Sequence, residues 1–179
     1  ITEACATIPP NSLIRSLGIN TTSSLGAFSI AVIGLFNIIG AITAGYLGKN
    51  FTKKYLLSLI YTGRTLASIF FIMTPMTVET VILFSIVMGG LWLATVPLTS
   101  GVIGYIYGMQ YMGTLYGIVF LSHQIGSFVG IWLGGSLYDM FGNYNLVWWV
   151  GIGVGAFSAI IHLPVNEKPL SERTSVATT

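Results

Sequence analysis

Apolar residues dominate this chain in long runs, which charged and turn-forming residues interrupt. A helix that crosses a bilayer core of about 30 Å needs about 20 mostly apolar residues. The runs predict membrane-spanning helices at about residues 25–47, 55–74, 78–103, 112–138 and 146–163. We interpret residues 1–24 as the end of a truncated helix followed by an outer loop, and residues 164–179 as a cytoplasmic tail.

The composition supports a membrane protein. Hydrophobic residues make up 54% of the chain and charged residues 7%, whereas soluble domains carry about 25% charged residues. This small number of charged residues cannot cover a surface that faces water. We therefore predict an all-α integral membrane protein, a polytopic helical bundle whose partner is the lipid bilayer. The net charge of +2 forms no basic stripe, so no nucleic-acid partner is expected. One cysteine allows neither a disulfide nor a thiolate cluster, and we expect no metal and no cofactor.

The basic residues predict the orientation. Lysine and arginine in short loops stay on the cytoplasmic side. The loop after the first predicted helix holds Lys49, Lys53 and Lys54, and the tail holds Lys168 and Arg173. Five alternating helices place these two segments on the same side. We therefore predict a multi-pass protein of the cell membrane, plasma or inner, with a cytoplasmic C-terminus.

The first loop carries a recognisable motif. From Gly45 to Lys54 the sequence reads GYLGKNFTKK, which resembles the cytoplasmic signature G-x-L-x-D-R-x-G-R-R of the major facilitator superfamily. Gly45, Leu47 and the basic pair Lys53 and Lys54 match the signature. The acidic position holds Lys49 instead, and the next position departs as well. The charge clasp that the family forms at this loop is therefore in question.

The resemblance implies an architecture and a mechanism. The five helices would be the last five of a twelve-helix fold, that is, its C-terminal six-helix half with the first helix truncated. The missing N-terminal half of the same protein would then be a partner. Members of the family bind solute near the midplane between the halves and transport it by alternating access.

A second stretch is more specific. The segment GGSLYDMFGNY, which begins at Gly134, resembles the outer turn between the last two helices of monocarboxylate-porter-like members. Gly126, Gly130 and Gly134 recur every four residues, a spacing that lets helix backbones approach closely. Asp139 is suited to cap backbone donors at the turn, and Gly142 tolerates a positive φ. The resemblance implies secondary active transport of a small organic solute, an organic anion such as a monocarboxylate, by ion coupling or exchange.

Five polar or aromatic side chains are candidates for substrate binding or coupling, namely Asn37, Arg64, Trp92, His123 and Gln124. Polar residues in mid-membrane are costly and usually face a partner or a watery cavity. Arg64 offers a guanidinium fork for a carboxylate; the alternative is a structural pairing with Asn37, a serine or backbone carbonyls. His123 is a candidate proton carrier because histidine titrates near physiological pH; the alternative is a buried histidine that bonds a neighbour.

The third predicted helix contains Trp92 and Pro97. Proline removes a backbone donor and should kink the helix. Such a kink serves either as a gate or as a static bend, and the sequence does not decide between them.

Two other functions were weighed. The departure at Lys49 keeps open a transport-inactive, carrier-like sensor or accessory subunit. An integral-membrane enzyme is a weaker alternative, because Ser122 and His123 are adjacent on a helix and point apart, so they form no catalytic dyad. We therefore predict no catalytic residue.

Overall fold

A computed structural model describes residues 22–170, and the predictions for the chain on either side lie outside the described residues. Within that range the chain is helical and contains no strand. The helices, numbered here in chain order, are α1 (Thr22–Asn50), α2 (Lys53–Met73), α3 (Val78–Trp92), α4 (Thr95–Tyr107), α5 (Met112–Phe141) and α6 (Asn145–Ile161), with a short 3-10 turn at Met109–Tyr111.

Four segments are long and apolar enough to cross a membrane, and α3 and α4 together form one of them. They are Ser24–Asn50, Lys53–Met73, Val78–Tyr107 and Met109–Phe141. The last helix, α6, is equally apolar but shorter, with 17 residues. This architecture confirms the predicted all-α membrane bundle.

Pro97 explains why the third span is divided into α3 and α4. A proline lacks the N–H that would bond the carbonyl four residues earlier, and its ring clashes with that carbonyl. The residue four positions before Pro97 is Leu93, and the helix is interrupted at Leu93 and Ala94. There the N–H of Val96 donates to the Leu93 carbonyl in a tighter turn, at 3.1 Å. The interruption predicted from Pro97 is therefore present.

The apolar core lies where α1, α2 and α4 meet, beside this interruption. Its buried members are Ala44, Leu57, Ile60, Ala94 and Leu98. Leu98 is the most enclosed of them, with 1% of its surface exposed. This core fixes the position of the interruption relative to α1 and α2.

Glycines bring α1 and α3 into backbone contact. A Cβ added at Gly40 would lie 1.9 Å from the carbonyl oxygen of Gly90, and one added at Gly89 would lie 2.8 Å from the carbonyl oxygen of Ile33. Only glycine lets two helix backbones approach this closely. The sequence predicts close packing at the glycines of α5. Its pattern does not indicate the crossing of α1 and α3 at Gly40 and Gly89.

The glycines of α5 have more open surroundings. A Cβ at Gly126 or Gly130 would meet no atom within 4 Å, and one at Gly134 would meet only the Val147 side chain, at 3.8 Å. None of the residues of α5 is buried. The packing role predicted for this glycine series therefore remains a prediction, and residues 22–170 supply a partner only at Gly134.

The turn between α5 and α6 closes through Asn143. Gly142 ends α5 with φ 67°, and its N–H donates to the Tyr138 carbonyl at 2.8 Å. The side-chain oxygen of Asn143 accepts from the N–H of Asn145 at 3.1 Å. Asp139 still lies within α5, where a side chain points back toward the start of its helix. The capping role expected of Asp139 remains a prediction, and the bond observed at this turn is the one that Asn143 accepts.

The start of α2 is capped by a residue far along the chain. Thr52, the residue before α2, makes no side-chain cap. Instead, the N–H of Lys54 donates to the carboxylate of Glu167, in the segment after α6. The Lys54 ammonium donates to the Leu163 carbonyl at 3.3 Å, and the Ser58 hydroxyl donates to the Ala159 carbonyl at 2.8 Å. These bonds join α2 to the end of α6.

The glycine crossing yields a first prediction. Gly89→Ala should lower the thermal unfolding midpoint of the purified full-length protein, because the new methyl group meets backbone atoms of α1 that cannot rotate away. We expect a cost of about 1–3 kcal/mol, typical of overpacking. Gly90→Ala is the matched control, since a Cβ there meets nothing within 4 Å. Equal midpoints for the two variants would contradict the crossing.

The distant cap yields a second prediction. Glu167→Ala should destabilise the protein by about 0.5–2 kcal/mol, the usual cost of losing an N-cap. Glu167→Gln keeps an acceptor oxygen and should lose less. Asp139→Ala, which removes an exposed carboxylate from α5, serves as the control in the same thermal unfolding measurement. A Glu167→Ala midpoint no lower than that of the control is incompatible with the cap.

Candidate functional site

Arg64 lies in the middle of α2 with its guanidinium between two aromatic rings. It follows the first residue of α2, Lys53, by eleven positions, which places it about 16 Å along the helix at 1.5 Å per residue. The guanidinium carbon is 4.8 Å from the ring centre of Trp92 and 5.7 Å from that of Tyr61. Tyr61 precedes Arg64 by one helical turn, and Trp92 is the last residue of α3.

The rings partly compensate the charge, but they do not neutralise it. Cation–π contacts contribute about 0.5–2 kcal/mol each. The carboxylates of the described residues belong to Glu79, Asp139 and Glu167, in the first turn of α3, the last turn of α5 and the segment after α6. Across residues 22–170, none of them forms an ion pair with Arg64. The N–H groups at the edge of its guanidinium are therefore the strongest donors at this depth.

Beside Arg64, a cavity of about 420 Å³ lies between parts of α2 and α6. Four residues of α2 face it at helical spacing, namely Tyr61, Arg64, Thr65 and Ser68. Met88 of α3 and Tyr144, the residue before α6, add to the lining, and α6 contributes Val147, Trp148, Gly151, Ile152, Val154, Gly155 and Ser158. Arg64 is the one charged side chain among these lining residues.

Two hydroxyl groups of α2 in this cavity are bonded within their own helix. Thr65 donates to the Tyr61 carbonyl at 2.8 Å, and Ser68 donates to the Arg64 carbonyl at 2.9 Å. Such bonds to the preceding turn satisfy the hydroxyl hydrogen. The lining also includes the polar side chains of Tyr61, Tyr144, Trp148 and Ser158, so the wall around the guanidinium combines apolar surface with further polar groups.

Asn37 reaches the interruption of the third span from α1. Its side-chain oxygen accepts from the N–H of Leu93, the residue that follows α3, at 3.2 Å. Leu93 follows Trp92 directly, so three of the sequence candidates, Asn37, Arg64 and Trp92, converge on this interruption. Arg64 takes aromatic partners there, and the suggested pairing with Asn37 is absent.

The structure does not bring His123 and Gln124 to this group. Both side chains are exposed on α5. The ring of His123 lies 6.2 Å from that of Phe120, one turn earlier on the same helix. Their proposed roles in coupling or binding remain predictions.

The residues of the loop motif flank the junction of α1 and α2. Gly45, Leu47 and Lys49 belong to the last turns of α1, and Lys53 begins α2. The Lys53 ammonium lies 5.0 Å over the ring of Tyr105 in α4. Lys54 binds the segment after α6, as described above. Both lysines of the basic pair thus hold neighbouring segments against α2.

The sequence did not indicate that Tyr61, Trp148 and Gly155 lie at this site. A Cβ at Gly155 would lie 2.6 Å from the Thr65 hydroxyl, so this glycine allows α6 to approach α2. Trp148 packs against Phe71, with ring centres 5.4 Å apart. The spacing of the α2 residues marks one helix face, but a spacing alone does not identify the helix that faces it.

Interrupted spans and cations at mid-depth are features found in membrane transporters. The family model for the Major Facilitator Superfamily matches residues 4–178. The chain therefore belongs to the Major Facilitator Superfamily.

Similar proteins carry transporter names. The chain is 29% identical over 151 residues to "Uncharacterized MFS-type transporter YcxA" of Bacillus subtilis, covering 81% of this chain and 37% of that protein. It is 30% identical over 126 residues to "Monocarboxylate transporter 12-B" of Danio rerio, covering 66% and 26%. "Monocarboxylate transporter 12" of Xenopus laevis is 26% identical over 136 residues, covering 73% and 29%.

The chain thus spans between 26% and 37% of the length of these relatives. No solved structure matches it significantly. All three relatives are named as transporters, and none of the three names is that of an enzyme.

The Asn37 contact yields a third prediction. Asn37→Ala should lower the thermal unfolding midpoint, because the N–H of Leu93 loses its acceptor in a region where lipid offers none. The expected cost is about 1 kcal/mol, the net contribution of one hydrogen bond. Ile38→Ala, at a neighbouring side chain that is 61% exposed, is the control. Equal losses in the two variants would show that the amide contributes nothing specific.

Proposed function

We propose that the full-length protein is a secondary active transporter for a small organic anion, such as a monocarboxylate, and that Arg64 binds the anionic group. The observation that carries this proposal is the guanidinium at mid-depth in α2, which has aromatic partners but no carboxylate partner within residues 22–170. A charge in the membrane interior is costly unless an opposite charge or a watery cavity meets it. A substrate carboxylate would supply that opposite charge.

The chemistry of the side chain favours a carboxylate. A guanidinium binds a carboxylate through two parallel N–H···O bonds, which give orientation as well as energy. The rings of Tyr61 and Trp92 lie about 5–6 Å from the guanidinium carbon and restrict its position, so less side-chain entropy is lost when the anion binds. Two of the relatives are named monocarboxylate transporters, in agreement with this substrate class.

Transport would proceed by alternating access, with ion coupling or exchange, between this part of the protein and an N-terminal half outside it. The interruption of the third span beside Asn37 and Trp92 is suited to bend during this change. His123 and Gln124, exposed on α5, would contribute to coupling or substrate contact from the side of the other half. We place the protein in the cell membrane, with the end of α6 on the cytoplasmic side.

A fourth prediction tests Arg64 directly. In proteoliposomes that contain the full-length protein, Arg64→Gln should lower the uptake of labelled monocarboxylates at least about tenfold, since a hydrogen bond to a charged group contributes about 1.5–3 kcal/mol. Arg64→Lys keeps the charge but loses the fork and should retain part of the uptake. Leu66→Ala, at a side chain of α2 that is 61% exposed, is the control. Full uptake by the Arg64→Gln variant would remove Arg64 from the site.

One observation favours a second function, a carrier-like sensor that binds solute without moving it. Lys49 occupies the acidic position of the loop signature, where the family forms a charge clasp. The same proteoliposomes distinguish the two functions. Binding of the anion with no accumulation, and no exchange against a preloaded anion, would favour the sensor.

A further inference from the structure

We propose that a groove between α1 and α2 binds an anionic phospholipid, with the lipid phosphate at Lys53 and one acyl chain along the groove. The groove shares no lining residue with the cavity beside Arg64, so this inference does not rest on the proposed function. It assigns to the bundle a bound lipid of defined charge, which neither the family nor the relatives' names indicate.

The groove is a cavity of about 410 Å³ that opens between α1 and α2, and we call it the α1–α2 groove. Its walls are formed by residues spaced along 39–47 of α1 and along 56–60 of α2, and α3 and α4 add further residues. Ala94 and Leu98 lie almost fully buried at its bottom, whereas Leu59 on its rim is exposed. An apolar groove that is open on one side at membrane depth admits an acyl chain.

The lining of the α1–α2 groove suits hydrocarbon. Among the described residues that line it, Thr43 alone has a polar side chain. The Thr43 hydroxyl donates to the Ile39 carbonyl, one turn earlier, at 2.8 Å, and such a bond satisfies the hydroxyl hydrogen. A polar solute in this groove would lose its hydrogen bonds to water without replacing them, whereas an acyl chain loses none.

A cation stands at the end of the groove nearest the loop between α1 and α2. Lys53 precedes Ile60 of the lining by seven positions, two helical turns, and so lies on the same face of α2. Its ammonium lies 5.0 Å over the ring of Tyr105, which follows Leu98 by two turns on one face of α4. The Lys53 stem lies against Gly101, between these two residues, since a Cβ there would be 3.1 Å from the Lys53 Cε. The bottom of the groove therefore leads to the Lys53 ammonium.

The charge of Lys53 is not neutralised within residues 22–170, where no carboxylate forms an ion pair with it. Glu167 accepts from the N–H of Lys54 instead. An ammonium has three N–H donors, and its contact with the Tyr105 ring leaves donors for a phosphate. Lysines at the membrane surface attract anionic lipids, whereas the phosphate of a zwitterionic lipid already has an ammonium of its own.

The length of the groove matches one leaflet of a bilayer. Ile39 precedes Asn50, the last residue of α1, by eleven positions, which corresponds to about 16 Å along the helix. Half of the hydrocarbon core is about 15 Å thick. Exposed aromatic side chains surround the loop end of the groove, namely Tyr46, Phe51, Tyr55, Tyr105 and Tyr107. Such side chains concentrate at the level of the headgroups, so Lys53 lies at the depth of a lipid phosphate.

A fifth prediction concerns the charge of the lipid. Native mass spectrometry of the purified full-length protein would measure the binding of phosphatidylglycerol and of phosphatidylcholine with the same acyl chains. Phosphatidylglycerol should bind at least about tenfold more tightly, because a hydrogen-bonded charge pair forms only with the anionic lipid. Lys53→Gln should remove most of this preference. Lys49→Gln is the matched control, since Lys49 follows Leu47 of the lining by two positions, about 200° around α1, and should keep the preference.

The same measurement tests the path of the acyl chain. Gly90 lines the groove, and a Cβ there meets nothing within 4 Å, so Gly90→Leu should fill the groove. It should weaken the binding of phosphatidylglycerol at least about tenfold, because the chain loses apolar contact. Gly34→Leu is the matched control, since a Cβ at Gly34 also meets nothing within 4 Å but this residue does not line the groove. The thermal unfolding midpoint of each variant without added lipid verifies that it folds.

A soluble competitor distinguishes a lipid from a free phosphate. Glycerol 1-phosphate, which has the phosphate without the chains, should not displace phosphatidylglycerol even in large excess. Displacement by glycerol 1-phosphate would assign Lys53 to a soluble phosphate and overturn the proposal. Equal effects of Lys53→Gln and Lys49→Gln would show general attraction to a basic surface, and equal effects of Gly90→Leu and Gly34→Leu would show that the chain lies elsewhere. Either result also overturns the proposal.

Discussion

A guanidinium in the middle of a membrane-spanning helix is the constraint on which the rest of this arrangement depends. In hydrocarbon such a charge is costly unless it meets aromatic faces, a counter-charge or water. Here the last residue of α3 and a tyrosine one turn earlier in α2 present their rings to Arg64. The side of the cation that faces α6 adjoins a cavity. The two rings therefore hold the guanidinium in place, and no carboxylate of the described residues neutralises its charge. A binding site for an anion requires such an unneutralised cation.

The position of Trp92 depends on the interruption that follows it. Pro97 has no N–H to bond the Leu93 carbonyl, and the helix is interrupted at Leu93 and Ala94. The side-chain oxygen of Asn37 accepts from the N–H of Leu93 at this interruption. The backbone contact of Gly40 with Gly90 holds α1 and α3 at the distance that this bond needs. Helix packing, the interruption and the cation thus form one connected arrangement, in which a change at the glycine crossing would be transmitted to the ring over Arg64.

The sequence predicted the helices because, in a bilayer, each span must satisfy its own backbone polar groups over about 20 apolar residues. Pro97 likewise acts within its own helix. Contacts between helices were harder to predict. The Asn37 amide, the crossing at Gly89 and the cap by Glu167 each join residues more than 50 positions apart. Composition and spacing indicated that glycines and polar groups matter, but a local pattern does not name a distant partner.

The central claim is that the charge of Arg64 is matched by a bound anion. The most direct test is a structure of the full-length protein determined in the presence of a monocarboxylate. Our account predicts the carboxylate oxygens at about 2.7–2.9 Å from the guanidinium nitrogens. A protein carboxylate from outside residues 22–170 paired with Arg64, and the ligand bound elsewhere, would contradict it.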